Sequence, residues 1–192
     1  MFDNMKKILL VAALAIMSVA AFAQQKFAHV NFTELVQLMP ESDQARATLE
    51  ASSKEANETY QAMADEWNTK YQQYQQKAAS WTPAIRETKE KELTDMQQRI
   101  QEFNQTVQAE LQQQQQQLMA PIYQKAQEAV NKLAKEGGYI YVIDQTSALY
   151  IDPAQSTDLT PAARKALSIP DDRTMESLQK ELQAQAEQQQ AQ

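Results

Sequence analysis

A chain of 192 residues with no cysteine, two glycines, one histidine and a net charge of −7 excludes several classes of protein. Two glycines cannot supply a phosphate-cradling loop or the tight turns of an all-β sandwich; without cysteine there is no disulfide, thiolate zinc site or cysteine nucleophile; and one histidine cannot make a histidine metal cluster. With glutamine at 31 positions and Ala, Glu, Leu and Lys abundant, the composition is that of long helices.

Residues 1–23 read as a secretory signal peptide. Lys6 and Lys7 form the positive start, Ile8–Val19 the apolar run and Ala21-Phe22-Ala23 the small-residue cleavage site. Met5 is a candidate start. The run is shorter than the ~20 residues of a spanning helix, so the expectation is cleavage after Ala23, export to the periplasm and no stable membrane insertion. Losing this segment removes two lysines and one aspartate, which takes the net charge to −8. That charge argues against nucleic acid, whose phosphates require clustered Lys and Arg.

Lys26–Phe32 reads as a short strand with Phe27, Val30 and Phe32 apolar. Thr33–Met39 reads as one or two helical turns stopped by Pro40, and Ser42 as the cap of a helix reaching about Ser80. Trp81-Thr82-Pro83 breaks the pattern, with Thr82 as the next cap and Pro83 at the first helical position. A second helix runs from Pro83 to about Glu136 and stops at Gly137-Gly138. Tyr139–Asp144 and Ser147–Ile151 read as two strands turning at Asp144-Gln145-Thr146, with Ile140, Val142, Ile143, Leu149 and Ile151 as their apolar groups. Asp152–Thr160 reads as loop and Pro161–Ser168 as a short helix. The Gln-rich residues 171–192 read as a frayed or disordered tail.

In the first long helix, Ala45, Ala56, Trp67 and Ala78 are eleven apart, as are Leu49, Tyr60 and Tyr71, and Met63 and Tyr74. An eleven-residue repeat gives a straight or slightly right-handed pairing. The second helix carries Leu93, Met96, Ile100, Phe103 and Val107, then Leu118, then Ile122, Ala126, Ala129 and Leu133. Two such stripes joined by a tight break predict an antiparallel helical hairpin with a first arm of ~60 Å, a thin seam and a flexible tip. Neither arm is stable alone in water.

The predicted fold is α+β and mostly α: a signal peptide at 1–23, a β-rich body at 24–41 and 137–170, a hairpin arm at 42–136 and a polar tail at 171–192. Three short strands apolar on both faces cannot cover themselves. Phe27, Val30, Phe32, Ile140, Val142, Ile143, Leu149 and Ile151 are therefore the expected body of an oligomer.

His29 has no partner nearby in sequence and reads as a structural histidine. Asp144 and Asp152 read as turn residues and not as a catalytic pair, so no catalytic residue, metal site or cofactor is expected. Tyr60, Met63, Trp67, Tyr71 and Tyr74 read first as a helix–helix seam, with an adaptable client-binding surface for unfolded chains as the alternative. Trp81, at the break, belongs to either. Gln112–Gln117 reads as solvated helix, and the charged run Arg86–Glu92 as surface pairs.

The order of these elements resembles the Skp/OmpH family of periplasmic chaperones. Lys26-Phe27-Ala28-His29-Val30-Asn31 resembles the family's first strand. Pro121-Ile122-Tyr123-Gln124-Lys125, through Ala129-Val130, Leu133–Glu136 and Gly138-Tyr139 to Val142-Ile143-Asp144, resembles its second-helix end and following strand. Tyr150–Pro153 and Asp158-Leu159-Thr160 resemble its last loop and terminal helix. The resemblance implies a homotrimer whose strands close a small barrel, with three helical arms enclosing unfolded outer-membrane proteins without ATP. The best-known members are basic, whereas this chain is acidic, and residues 171–192 pass the family's usual end. The function expected is thus a holdase, not an enzyme. The alternative is a periplasmic coiled-coil spacer with one fixed partner.

Overall fold

The computed structural model describes residues 26–190; the signal peptide and its cleavage site lie outside the described residues. The chain divides into two compact units, one ending at Met39 and resuming at Tyr123, the other Pro40–Ile122.

In the first unit, β1 (Lys26–Val30) buries Ala28 and Val30 on one face and leaves Phe27 and His29 half-buried on the other. Asn31 opens helix α1 (Phe32–Leu38). Its side-chain oxygen accepts from the Glu34 N–H at 3.0 Å, and its amide donates to the Glu34 carboxylate at 3.1 Å. The first bond satisfies a backbone N–H that the helix itself cannot, and the second holds the two side chains in place. Leu35, Val36, Leu38 and Met39 are all buried, so this two-turn helix lies in the core despite its length.

β2 (Tyr139–Asp144) and β3 (Ser156–Asp158) flank β1 in the order β2–β1–β3, both parallel to it. Parallel neighbours require a crossover, and the whole second unit lies in the crossover from β1 to β2. The register sets Phe27 opposite Tyr141, with rings stacked at 6.3 Å, and His29 opposite Ile143. Helix α4 (Thr160–Ala166) follows β3. The Thr160 hydroxyl accepts from the Asn31 N–H at 2.9 Å, and Arg164 pairs with Glu34 at 2.8 Å. Helix α5 (Met175–Gln190) is opened by Thr174 and Ser177, each backbone N–H donating to the other's hydroxyl at 2.9 and 3.1 Å. Leu178 is buried, so the segment past residue 170 carries a capped helix with a buried anchor.

The second unit holds α2 (Pro40–Lys77), a 3-10 turn (Ala78–Ser80) and most of α3 (Pro83–Gly137). Thr82 caps α3: its hydroxyl accepts from the Ile85 N–H at 3.5 Å and its carbonyl from the Arg86 N–H at 3.0 Å. Pro83 occupies the first position, where a missing N–H costs nothing. α3 continues through Pro121 and ends where Gly138 takes φ +67°, a left-handed conformation that glycine adopts without a steric penalty.

Three expectations change. Ser147–Ile151 is not a strand: Gln145–Ser147 is a 3-10 turn capped by Asp144, and Leu149 stands fully exposed. The place beside β1 is taken by Ser156–Asp158, fixed by Leu159 N–H to His29 O at 2.9 Å and Asp158 to Thr160 N–H at 2.8 Å. Asp144 and Gln145 therefore do not make a hairpin turn, because both neighbours of β1 run parallel to it. Ser42 does not cap α2: that helix begins at Pro40, and Ser42 is buried within it.

Candidate functional site

Facing residues define the hairpin's register. Trp67 Nε1–H donates to the Leu93 carbonyl at 3.2 Å, the Lys70 ammonium pairs with Glu92, and the Tyr74 hydroxyl donates to Glu90. Farther from the turn, the Gln114 amide donates to the Ser52 hydroxyl at 3.1 Å. Residue numbers on α3 fall as those on α2 rise, so the helices run antiparallel. Trp67 stacks on Tyr71 at 4.9 Å, and Tyr74 meets Trp81 edge-on at 5.9 Å. Tyr60, Met63, Trp67, Tyr74 and Trp81 are half-buried, and Tyr71 is 39% exposed. The stripe thus lies along the seam with part of each ring open to solvent.

The charged run after Pro83 ties the helices together as well as solvating one. Glu92 bonds Lys70 across the hairpin and Lys89 along α3 at 2.8 Å. The bond to Lys70, then that to Lys89, lowers its carboxyl pKa from 4.5 to about 2. The bond to Glu92 raises Lys70, and the bond to Glu90 raises the Tyr74 phenol. Glu90, Glu92 and Leu93 are the tie points that sequence reasoning missed; their signal is their position opposite the aromatic stripe once the turn at residues 78–82 is fixed.

The middle of the hairpin differs. Ser52, Ala56 and Thr59 of α2 face Phe103, Val107 and Leu111 of α3 across an open cleft of about 460 Å³, which Glu55, Glu110 and Gln114 also line. The small side chains of α2 do not fill the space opposite the larger ones of α3. The Gln112–Gln117 run is mainly exposed, as expected of solvated helix, with Gln114 turned to Ser52.

In the first unit, Val30 is buried, and Phe27, Phe32, Val142 and Ile151 are half-buried; Ile140 and Ile143 are about half exposed. Tyr141 and Tyr150, at 64% and 80% exposure, extend this apolar surface with Leu149. His29 Nδ1 lies 2.9 Å from the Ser156 hydroxyl. Asp144 accepts from the Thr146 N–H and hydroxyl, and Asp152 from the Ala154 N–H at 2.9 Å; both do turn work. Among the described residues no group of three or more His, Asp or Glu could hold a metal ion, and no helix is long and apolar enough to cross a membrane.

A small sheet whose first two strands are joined through a long antiparallel helical hairpin is the OmpH-like fold. The closeness is measurable against a crystal structure from Caulobacter crescentus described as an outer membrane chaperone (OmpH-like): the TM-score is 0.66 at 16% identity, over 79% of this chain and 92% of that one. The chain belongs to the family of OmpH-like outer membrane proteins, whose sequence profile matches residues 26–167. It is also 29% identical to the chaperone protein Skp of Yersinia enterocolitica over 158 residues, 81% of this chain and 95% of that protein.

Proposed function

We propose that this protein is a periplasmic holdase that takes unfolded outer-membrane proteins between its helical arms and prevents their aggregation without ATP. The observation that carries the reading is the hairpin stripe of Tyr60, Met63, Trp67, Tyr71, Tyr74 and Trp81, half open to solvent along the seam. Such rings and thioethers give weak, adaptable contacts suited to many chains, and the likeness to Skp supports the same use. Several arms would add such contacts into avidity without any strong single site.

The arms come together as a homotrimer, its strands closing a small barrel through Phe27, Val30, Ile140, Val142 and Ile143, with Phe32, Leu149 and Ile151 adding apolar contacts from outside the strands. The apolar groups left open on β2 and after it support this, because exposed strand edges invite pairing with other chains. Val142→Asp, which buries an unpaired charge on assembly, should dissociate the trimer in sedimentation; a folded trimeric variant would place the interface elsewhere. Mass spectrometry of the exported protein should show a chain starting at Gln24.

Aggregation assays with several unrelated unfolded outer-membrane barrels test the function. A holdase protects all of them without nucleotide, and loses protection when the stripe is replaced by Ala and Ser in a chain that stays folded. Protection of one protein alone would indicate a spacer with a fixed partner, and protection of none would refute the holdase reading.

A further inference from the structure

The cleft in the middle of the hairpin has a chemistry that the rest of the seam lacks. Nearer the turn, Trp67 and Tyr74 reach across to the facing helix, with Tyr71 stacked on Trp67. At Ser52, Ala56 and Thr59 nothing of comparable size faces Phe103, Val107 and Leu111. Apolar groups without neighbours forgo dispersion contacts that an incoming apolar side chain restores, and a volume of about 460 Å³ is within the ~300–1,000 Å³ of ordinary ligand sites. The rim is acidic. Glu55 and Glu110 stand exposed beside the cleft, and no lysine or arginine lines it.

We propose that this cleft receives one bulky apolar side chain of an extended client segment, and that Glu55 and Glu110 select segments carrying Lys or Arg beside it. This rests on the holding function proposed above and names the kind of segment held. In an extended chain, residues i and i±2 point to the same side. A segment with an aromatic residue and lysines two positions away would therefore set the ring in the cleft and the ammonium groups at the rim. Complementary charge steers such segments in and rejects acidic ones, with the net negative charge of the chain acting in the same direction.

The test uses the full chain and labelled twelve-residue peptides read by fluorescence anisotropy. One peptide has a central Phe with Lys at both i±2 positions; a second replaces the lysines with Glu, and a third replaces Phe with Ser. The first should bind about tenfold tighter than the others, equivalent to about 1.4 kcal/mol. Ala56→Phe, which fills the cleft, should remove most of that binding. Because a large residue at position 56 can disturb the seam, the pair Glu55→Gln and Glu110→Gln, both at exposed sites, provides an independent arm: it should abolish the preference for Lys over Glu and keep the dependence on Phe. A photoreactive phenylalanine at the centre of the first peptide should crosslink to residues 52–59 or 103–114. Equal binding of all three peptides, a preference untouched by the glutamine pair, or crosslinks confined to other segments would overturn the proposal. Run in parallel, protection of unfolded outer-membrane barrels separates the two readings: protection without peptide preference removes the cleft alone, whereas absence of protection removes the holding function beneath it.

Discussion

The sheet-bearing unit and the helical hairpin draw on one polar, glycine-poor sequence and close to very different degrees. In the first, Leu35, Val36, Leu38 and Met39 are shut in with Ala163, Leu167, Ile169 and Leu178. In Pro40–Ile122, only Ser42, Ala45, Met96 and Ile122 are buried. The hairpin is held by strong helix formers, ion pairs along each helix and a seam of half-covered rings. The comparison teaches that one kind of sequence closes a core where large apolar side chains cluster, and leaves rings half covered where they are spread along two long helices.

Four measurements sharpen or break that contrast. The largest effect is expected from Leu35→Ala, at a fully buried site, which should cost about 2–5 kcal/mol. It should lower the denaturant midpoint and expose amides of the first unit before those of the hairpin; simultaneous exposure of both would erase the distinction. Trp67→Ala removes a half-buried ring, its stack on Tyr71 and its bond to Leu93. A loss of about 1–3 kcal/mol, below the range for fully buried aromatics, should appear as faster amide exchange around residues 60–100, with β1–β3 unaffected. Gly138→Ala forces a side chain into φ +67° and should cost about 1 kcal/mol in thermal unfolding; an unchanged transition would mean that the strand can start without that turn.

The smallest effect concerns Glu92. Its pKa falls from 4.5 to about 2 in the folded hairpin, chiefly through Lys70 and then Lys89. A depressed folded pKa means that the contribution is fully present above pH 4.5 and fades as pH falls toward 2. Because the pair is open to solvent, the change is small. Proteolysis of the hairpin should quicken slightly over that interval in the wild type, and Glu92→Gln should flatten the response. An identical pH response in both would assign it to other carboxylates.

The hairpin was legible because its signals are local and repeated: the eleven-residue spacing from Ala45 to Ala78, the Thr82-Pro83 start and the Gly137-Gly138 stop all lie within a few residues of the structure they set. Pro40 carried two messages, since it ends α1 and begins α2, and Ser42 beside it reads as a cap only when the first message is heard alone. β3 was hidden because Ser156–Asp158 is short and polar, and its place depends on the bonds that Ser156 and Leu159 make to His29, which no spacing announces. Leu149 and Tyr150 have strand-forming character, yet no strand among the described residues pairs with them. The stripe was found from its period. The cleft was not, because it arises from which small residue of α2 faces which large one of α3, a matter of register that follows only once the turn is fixed.

The parallel pairing of β1 with β2 also imposes an order in time. The Phe32 N–H meets the Asp144 carboxylate across 112 residues of chain, so the first strand must wait, unpaired, while everything between them is synthesised. The hairpin, whose partners meet around a local turn, is free to form earlier, since loop closure over short separations is faster. The segment that completes the sheet is made near the end, and until it arrives β1 has neither of its neighbours. A nascent chain stalled before residue 139 therefore holds a complete hairpin and a first strand without either neighbour.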